Sequence, residues 1–321
     1  MKGERVDIGM LTLTATGWDG AKTSLASPVS LTLRKNEGMP CDELTAVFYC
    51  ENPLIELAQA ALCYRDTELF SGIVDRQRQT VGAQGQTILL ECRSRGALLL
   101  DNEATPRTHY YAKLSDIVRI HASDYGIKGV LGDDPYLSRY VVTKGFSVWR
   151  AISLFCRRTL GRTSRITDDG YIDTGGVTAE QKTREISNRI DGAQRYVQIV
   201  SDTNRCEVLS TIKVQTQSGY YGMTVNNPDA RGIRRTRLIT ASAEWANLPR
   251  QSAQELIRLS MRKKRQTTVV MPGIVPWGIG DEAVLCDEPF CGSSLCVSEL
   301  EYRLDENGLF TTAVLVDRQY G

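Results

Sequence analysis

Hydrophobic and polar residues alternate with a period of two through much of the first hundred positions. Val29, Leu31 and Leu33 alternate with Ser30, Thr32 and Arg34, and Leu44, Ala46 and Phe48 repeat the pattern, as do Ile88, Leu90 and Cys92. Such alternation turns one face of a strand into a core and leaves the other to solvent or a partner. Turn-forming residues at Asn36–Gly38, Asn52–Pro53 and Gly82–Gly85 separate the runs. Several short strands at this spacing predict a small antiparallel barrel or sandwich. Within it, Leu54–Leu62 is predicted as a helix, with Asn52 and Pro53 as cap and first-turn residues.

The period then changes. Leu114, Ile117, Val118 and His121 recur at three and four, and Gly126 stops the run, which predicts an amphipathic helix. A second helix follows Ser147, a good N-cap. Its apolar face is expected to carry Trp149, Ile152, Phe155 and Cys156, opposite Arg150, Ser153, Arg157 and Arg158, and Gly161 ends it as a left-handed cap. Ser164–Thr167, a turn at Asp168–Gly170 and Tyr171–Thr174 make a hairpin. The remainder returns to strands with one further helix over Gln251–Arg265 and a closing hairpin, Leu300–Leu304 to Leu309–Val316. Its Asn307-Gly308 pair is expected to supply two positive-φ turn residues. The chain therefore divides into 1–100, a β-barrel; 101–180, a mixed α/β domain; and 181–321, a second β domain with one helix.

Composition narrows what such a chain does. Lys plus Arg is 39 and Asp plus Glu is 38, a net charge of +1. That balance lacks the basic excess of a dedicated nucleic-acid binder. Nine cysteines, an odd number and scattered, fit folding in a reducing cytoplasm. The first ten residues carry charges where a signal peptide needs an apolar core, and no run approaches a membrane span, so a soluble protein made in the cytoplasm is expected.

Candidate chemistry is sparse. The two histidines, His109 and His121, stand outside any HExxH pattern, and GxSxG and Walker A motifs are absent. His121 is expected to be a packing residue on its helix, and His109 a surface residue in a connector. Cys286, Cys291 and Cys296 are spaced more widely than usual zinc pairs and lack an evident fourth ligand. They are expected to be packed thiols without a metal. Asp168–Gly170 and Asp305–Gly308 resemble pieces of calcium loops but lack the closing glutamate, and turn chemistry accounts for both. The basic stretches Arg231–Arg237 and Arg262–Arg265 have no interleaved aromatic platform. A solvated face or an acidic protein partner is the better reading of them. No catalytic, cofactor-binding or metal residue is assigned.

Residues 69–106 read LFSGIVDRQRQTVGAQGQTILLECRSRGALLLDNEATP. This stretch resembles the phage late control gene D and XkdQ-like hub family of contractile tails. The residues that carry the likeness are Phe70, Gly72, Val74, Arg93, Ser94, Ala97, Leu99, Leu100, Asp101, Asn102, Glu103, Ala104 and Pro106. Lys144, Gly145, Ser147, Trp149, Ala151 and Ile152 continue it, and Pro272-Gly273 through Gly280-Asp281 to Ala283–Leu285 is similar to a barrel strand of that family.

The resemblance implies a fold that is mainly β with α+β, in which two antiparallel tube-like barrels flank a small mixed domain. It also implies a structural, non-enzymatic role: a homotrimeric baseplate hub of a contractile phage tail or tail-like particle, adapting a sixfold tail tube to a threefold central spike. The partners implied are the spike, a tube or tube-initiator protein, and the tape measure and other baseplate proteins. Neither a membrane, a cofactor nor sequence-specific nucleic acid is implied. Such a part resides in the virion or tail-like particle and is assembled in the bacterial host cytoplasm. The rival readings are a tail-associated cell-wall hydrolase, which needs converging acid, base or nucleophile, and a nucleic-acid-binding module, whose binding would weaken with salt.

Overall fold

Alternation becomes strand where a neighbour takes up the backbone hydrogen bonds. The computed structural model describes residues 10–25, 27–51, 54–83, 85–175, 182–215, 218–240 and 248–320. In chain order the first strands are β1 (Leu11–Gly17), β2 (Lys22–Leu25), β3 (Ser30–Asn36), β4 (Glu43–Tyr49), β5 (Leu57–Tyr64), β6 (Thr67–Gly82) and β7 (Gly85–Ser94). Then come α1 (Gly96–Asp101), β8 (Arg107–Lys113), α2 (Leu114–His121), β9 (Gly129–Leu131), β10 (Tyr136–Val142), α3 (Val148–Leu160), β11 (Arg165–Ile166) and β12 (Tyr171–Asp173). Next are β13 (Thr183–Ile186), β14 (Gln198–Thr203), β15 (Thr211–Val214), β16 (Met223–Asn226), β17 (Thr236–Ile239) and α4 (Pro249–Arg262). The chain ends with β18 (Arg265–Pro272), β19 (Glu282–Leu285), β20 (Ser293–Asp305) and β21 (Gly308–Asp317). No described helix is long and apolar enough to cross a membrane.

By contact the chain forms two units: residues 1–97, 182–200 and 268–315, and residues 98–181, 201–267 and 316–321. One sheet dominates the first, in the order β14-β18-β21-β20-β3-β4-β7-β6-β5-β1-β2, with β19 on β20 and β13 on β19. The long β20 serves two neighbours along one edge: Ser293–Cys296 pair with β19, and Glu299–Leu304 pair with β3, with Tyr302 opposite Leu33. Two cores follow. One gathers Leu13, Leu33, Phe48, Leu62, Ile88 and Leu90, and Tyr302 joins it; the other gathers Val269, Met271, Trp277, Leu285, Val297 and Leu315. The Tyr302 hydroxyl, 1% exposed, meets the Val275 carbonyl at 3.1 Å and accepts from the Trp277 N–H at 3.3 Å.

In the second unit α2 and α3 pack with a β8–β10 ribbon and the small sheet β11-β12-β9 around Ile117, Tyr140, Ile152, Phe155 and Ile172. Ser147 caps α3 by accepting from the Arg150 N–H at 3.1 Å, and Gly161 ends it at φ 69°. A second sheet, β16-β15-β17, packs on α4 through Ile212, Val214, Val225 and Ala253.

The mainly β, α+β character is that expected, but several local expectations are corrected. The pairing among described strands is open, from β14 to β2, so neither sheet region closes into a barrel. Leu54–Leu62 is not a helix: β5 runs from Leu57 to Tyr64 between β1 and β6. Its helix-favouring residues yield to pairing on both edges, which satisfies its backbone and buries Leu57, Ala60 and Leu62. The proposed cap, Asn52 and Pro53, lies outside the described residues. Val29 precedes β3 and is exposed, although Leu31 and Leu33 are buried. Trp149 is only half-buried. The buried stripe of α3 is centred on Val148, Ala151, Ile152 and Phe155, and Trp149 lies about 100° round from Val148. In the last hairpin the loop is Glu306-Asn307, held by Asp305 accepting from the Asn307 N–H at 2.8 Å; of the Asn-Gly pair only Gly308 has positive φ, 117°.

Candidate functional site

The main path of the first unit's sheet ends in β2 and β14, each with one strand partner among the described residues, and its side branch ends in β13, which pairs with β19. Unpaired N–H and C=O groups along such edges recruit further strands. Each edge carries exposed apolar side chains. Trp18, 73% exposed, stands in the turn that leads to β2. That turn is fixed by the Gly17 N–H to the Ala21 carbonyl at 2.8 Å and by the Ala21 N–H to the Asp19 carboxylate at 2.9 Å. At the other end Val197 and Val200 are exposed, although the Val197 N–H reaches the Val270 carbonyl at 2.7 Å.

A buried carboxylate positions the segment before β14. Asp287 accepts from the Ser187 hydroxyl at 2.6 Å, the Asn188 N–H at 2.8 Å and the Tyr196 hydroxyl at 2.9 Å. The Ser187 hydrogen bond, then that of Asn188, hold its carboxyl below the usual range. This arrangement orders a loop; it does not leave an acid free for catalysis.

His121 lies on the buried face of α2 as expected, but His109 is not a surface residue. It is 5% exposed on β8, and its Nε2 sits 3.0 Å from that of His121. One Nε2 donates and the other accepts, so the accepting ring is neutral. Burial, with Arg107 nearby, lowers the pKa of His109; burial, His109 and Arg107 lower that of His121 to about 4. Spacing did not reveal the pair, because strand and helix residues meet only through the fold.

Above pH about 6.5 neither folded nor unfolded His121 holds a proton, and the stability it contributes is fully present. As pH falls from about 6.5 to about 4, the unfolded chain takes up a proton that the folded site resists. The His121 contribution should fall by roughly 2–3 kcal/mol over that window. Urea unfolding at several pH values, with His121→Gln as reference, measures the difference; equal slopes in both proteins would refute it.

The other sequence candidates do not converge. Cys286 is half-buried, Cys291 exposed and Cys296 buried, and no group of three or more His, Cys, Asp or Glu could hold a metal among the described residues. Thiol counting in denaturant should find nine free thiols, and elemental analysis no stoichiometric zinc; one zinc per chain would refute this. The Asp168–Gly170 turn is closed by the Gly170 N–H to the Thr167 carbonyl at 2.9 Å, with Gly170 at φ 82°. In the basic stretches Arg231, Arg234, Arg235 and Arg237 are exposed around a buried Ile233, and Lys263 pairs with Glu207 at 2.9 Å. A cleft of about 430 Å³ in the second unit adjoins α4. Its charged groups answer one another: Arg258 pairs with Glu255 at 2.8 Å, and the Tyr320 hydroxyl donates to Asp229 at 2.9 Å.

No protein-family model and no curated protein matches the sequence. Solved structures do match the fold. A tail protein from Neisseria meningitidis MC58 superposes with a TM-score of 0.76 at 15% identity, covering 96% of both chains. The 43 kDa tail protein of prophage MuSo2 from Shewanella oneidensis superposes with a TM-score of 0.76 at 13% identity, over 97% of this chain and 99% of that one. The E. coli c3393 protein, a type VI secretion component with structural similarity to the T4 tail proteins gp27 and gp5, gives a TM-score of 0.59 at 8% identity, over 90% and 73%. The chain thus has a fold found in phage tail proteins.

Proposed function

We propose that the chain is the central baseplate hub of a contractile phage tail or tail-like particle, a structural part that works as a homotrimer. The observation that carries this reading is the open sheet of the first unit. It holds two separate cores joined through β3 and β20, and the ends of its main path, β2 and β14, are edges with Trp18, Val197 and Val200 exposed on or beside them. On this reading each core marks one tube-like module, built from β1–β7 and from the strands after residue 181. The β14 end of one copy joins the β2 end of the next, a head-to-tail contact that must close into a ring to avoid a filament.

Three copies would then present six similar modules toward a sixfold tail tube while keeping threefold symmetry toward a spike. The fold shared with phage tail proteins supports the reading, as does the likeness to a secretion component that itself resembles T4 gp27 and gp5. The partners are a spike protein below and a tube or tube-initiator protein above, with the tape measure and other baseplate proteins near by.

Mass photometry and electron cryomicroscopy of the assembled baseplate test it. Three copies around the central channel, with near-sixfold density in the sheet layer, are expected. Six copies, or a position outside the channel, would overturn the hub assignment. Val200→Lys should dissociate the ring and leave the monomer folded.

A further inference from the structure

The β8–β10 ribbon of the second unit has a face that the hub reading does not use. Its inner side packs on the core through Tyr140 and Val142 near one end and through Ala112 and Leu137 near the other. Strict alternation would put these two sets on opposite faces, since Tyr140 and Leu137 are three residues apart. The reversal coincides with Tyr111, which has φ 49°, a left-handed conformation rare outside glycine. This local turn keeps both inner sets on one core. The outer side therefore carries two directly opposed pairs, Tyr110 with Arg139 and Lys113 with Tyr136. Tyr110, Tyr111 and Tyr136 are 67%, 77% and 66% exposed.

We propose that this face is a docking surface for an acidic segment of another protein. Three observations converge. Each opposed pair sets a tyrosine beside a cation, and tyrosine and arginine are the residues that dominate binding energy at protein interfaces. Neither Arg139 nor Lys113 makes a side-chain ion pair among the described residues. Of the nearby carboxylates, Asp134 is oriented by the Ser115 N–H and hydroxyl at 2.8 Å, and Asp116 accepts from the Lys113 N–H at 3.1 Å and pairs with Arg119. Lys113 shares its charge with the neighbouring Asp116 carboxylate, whereas Arg139, exposed beside Tyr110, has no ion-pair partner among the described residues, so the face offers uncompensated positive charge at Arg139. It is also held rigid from behind. Tyr140 donates to the Ala151 carbonyl at 2.6 Å and packs edge-on to Phe155, and His109 bonds His121, so little order need be gained on binding.

A single-stranded nucleic acid would also use stacking rings and cations. A net charge of +1, and a face with no more than one cation beside each tyrosine, favour a short acidic peptide instead. The inference stands on the ribbon alone and is independent of the oligomeric state proposed above.

Fluorescence anisotropy on the full chain at low salt tests it, with a labelled short Glu/Ser peptide, a Lys/Ser peptide of equal length and an oligothymidylate as probes. Saturable, salt-sensitive binding of the Glu/Ser peptide is expected. Lys113→Glu with Arg139→Glu should weaken it by about tenfold or more and confer binding of the Lys/Ser peptide. Tyr110→Ala with Tyr136→Ala should weaken it without changing the salt dependence. Melting curves verify folding, and Lys113→Gln with Arg139→Gln replaces the charge reversal if that variant does not fold. Lack of saturable peptide binding overturns the proposal. Tighter binding of the oligothymidylate overturns it in favour of nucleic acid. Self-association abolished by the charge reversal, seen in sedimentation, overturns it in favour of a second copy.

Discussion

Phe155→Ala should lower the stability of the second unit by about 3–5 kcal/mol, the usual cost of emptying a large aromatic site. Phe155 is 0% exposed at the centre of α3 and meets the Tyr140 ring edge-on with centroids 5.0 Å apart. Tyr140 in turn anchors the ribbon through its hydroxyl to Ala151. Trp149→Ala should cost roughly half as much, since Trp149 rests half-buried at the margin of the same core. Urea unfolding followed by circular dichroism measures both. A Phe155→Ala midpoint equal to that of the wild type would show that the core has been misassigned.

Gly72→Ala should disrupt the pairing of β6 with β7 and cost about 3 kcal/mol, the upper part of the range for overpacking. A Cβ there would lie 2.2 Å from the Arg93 carbonyl oxygen and 2.6 Å from the Phe70 ring. The ring can turn aside. The carbonyl belongs to a paired strand, where Gly72 stands opposite Ser94, and cannot move without breaking the ladder. Gly82→Ala, at the far end of the same strand, meets nothing within 4 Å and should change stability by about 0.5 kcal/mol or less. If the two variants unfold at the same urea concentration, the close approach at Gly72 is not as described. The result bears on the likeness in residues 69–106, where Gly72 is one of the matching positions. Its physical reason is the passage of one backbone against another.

Much of the local structure was legible in the chain itself. Leu44, Ala46 and Phe48 alternate because a strand has a period of two, and all three are buried in β4. Leu114, Ile117, Val118 and His121 form the buried face of α2, as helical spacing requires. Ser147 and Gly161 bound α3 because a helix start needs an acceptor and its end a left-handed residue. These are decisions among residues a few positions apart, where geometry leaves few alternatives.

The candidate surfaces were legible only in part. The sequence directed attention to Arg231–Arg237 and Arg262–Arg265, contiguous cations that are visible as a run. The face made by Tyr110, Arg139, Lys113 and Tyr136 is dispersed over two strands, and only their register assembles it. His109 reads as a surface residue in the sequence for the same reason: its partner is on a helix, and its burial depends on the ribbon packing down on that helix.

What the sequence by itself determined is the set of strands and helices with strong periodicity, and their caps. What only the tertiary structure decided is which strands meet. β5 is a strand, despite residues that favour a helix, because β1 and β6 flank it. The first and last strand regions form one continuous sheet because Leu33 pairs with Tyr302, far along the chain. Local propensity is worth a few tenths of a kcal/mol per residue. It yields wherever distant backbone groups must find partners and apolar surface must be covered, because leaving either unmet costs more.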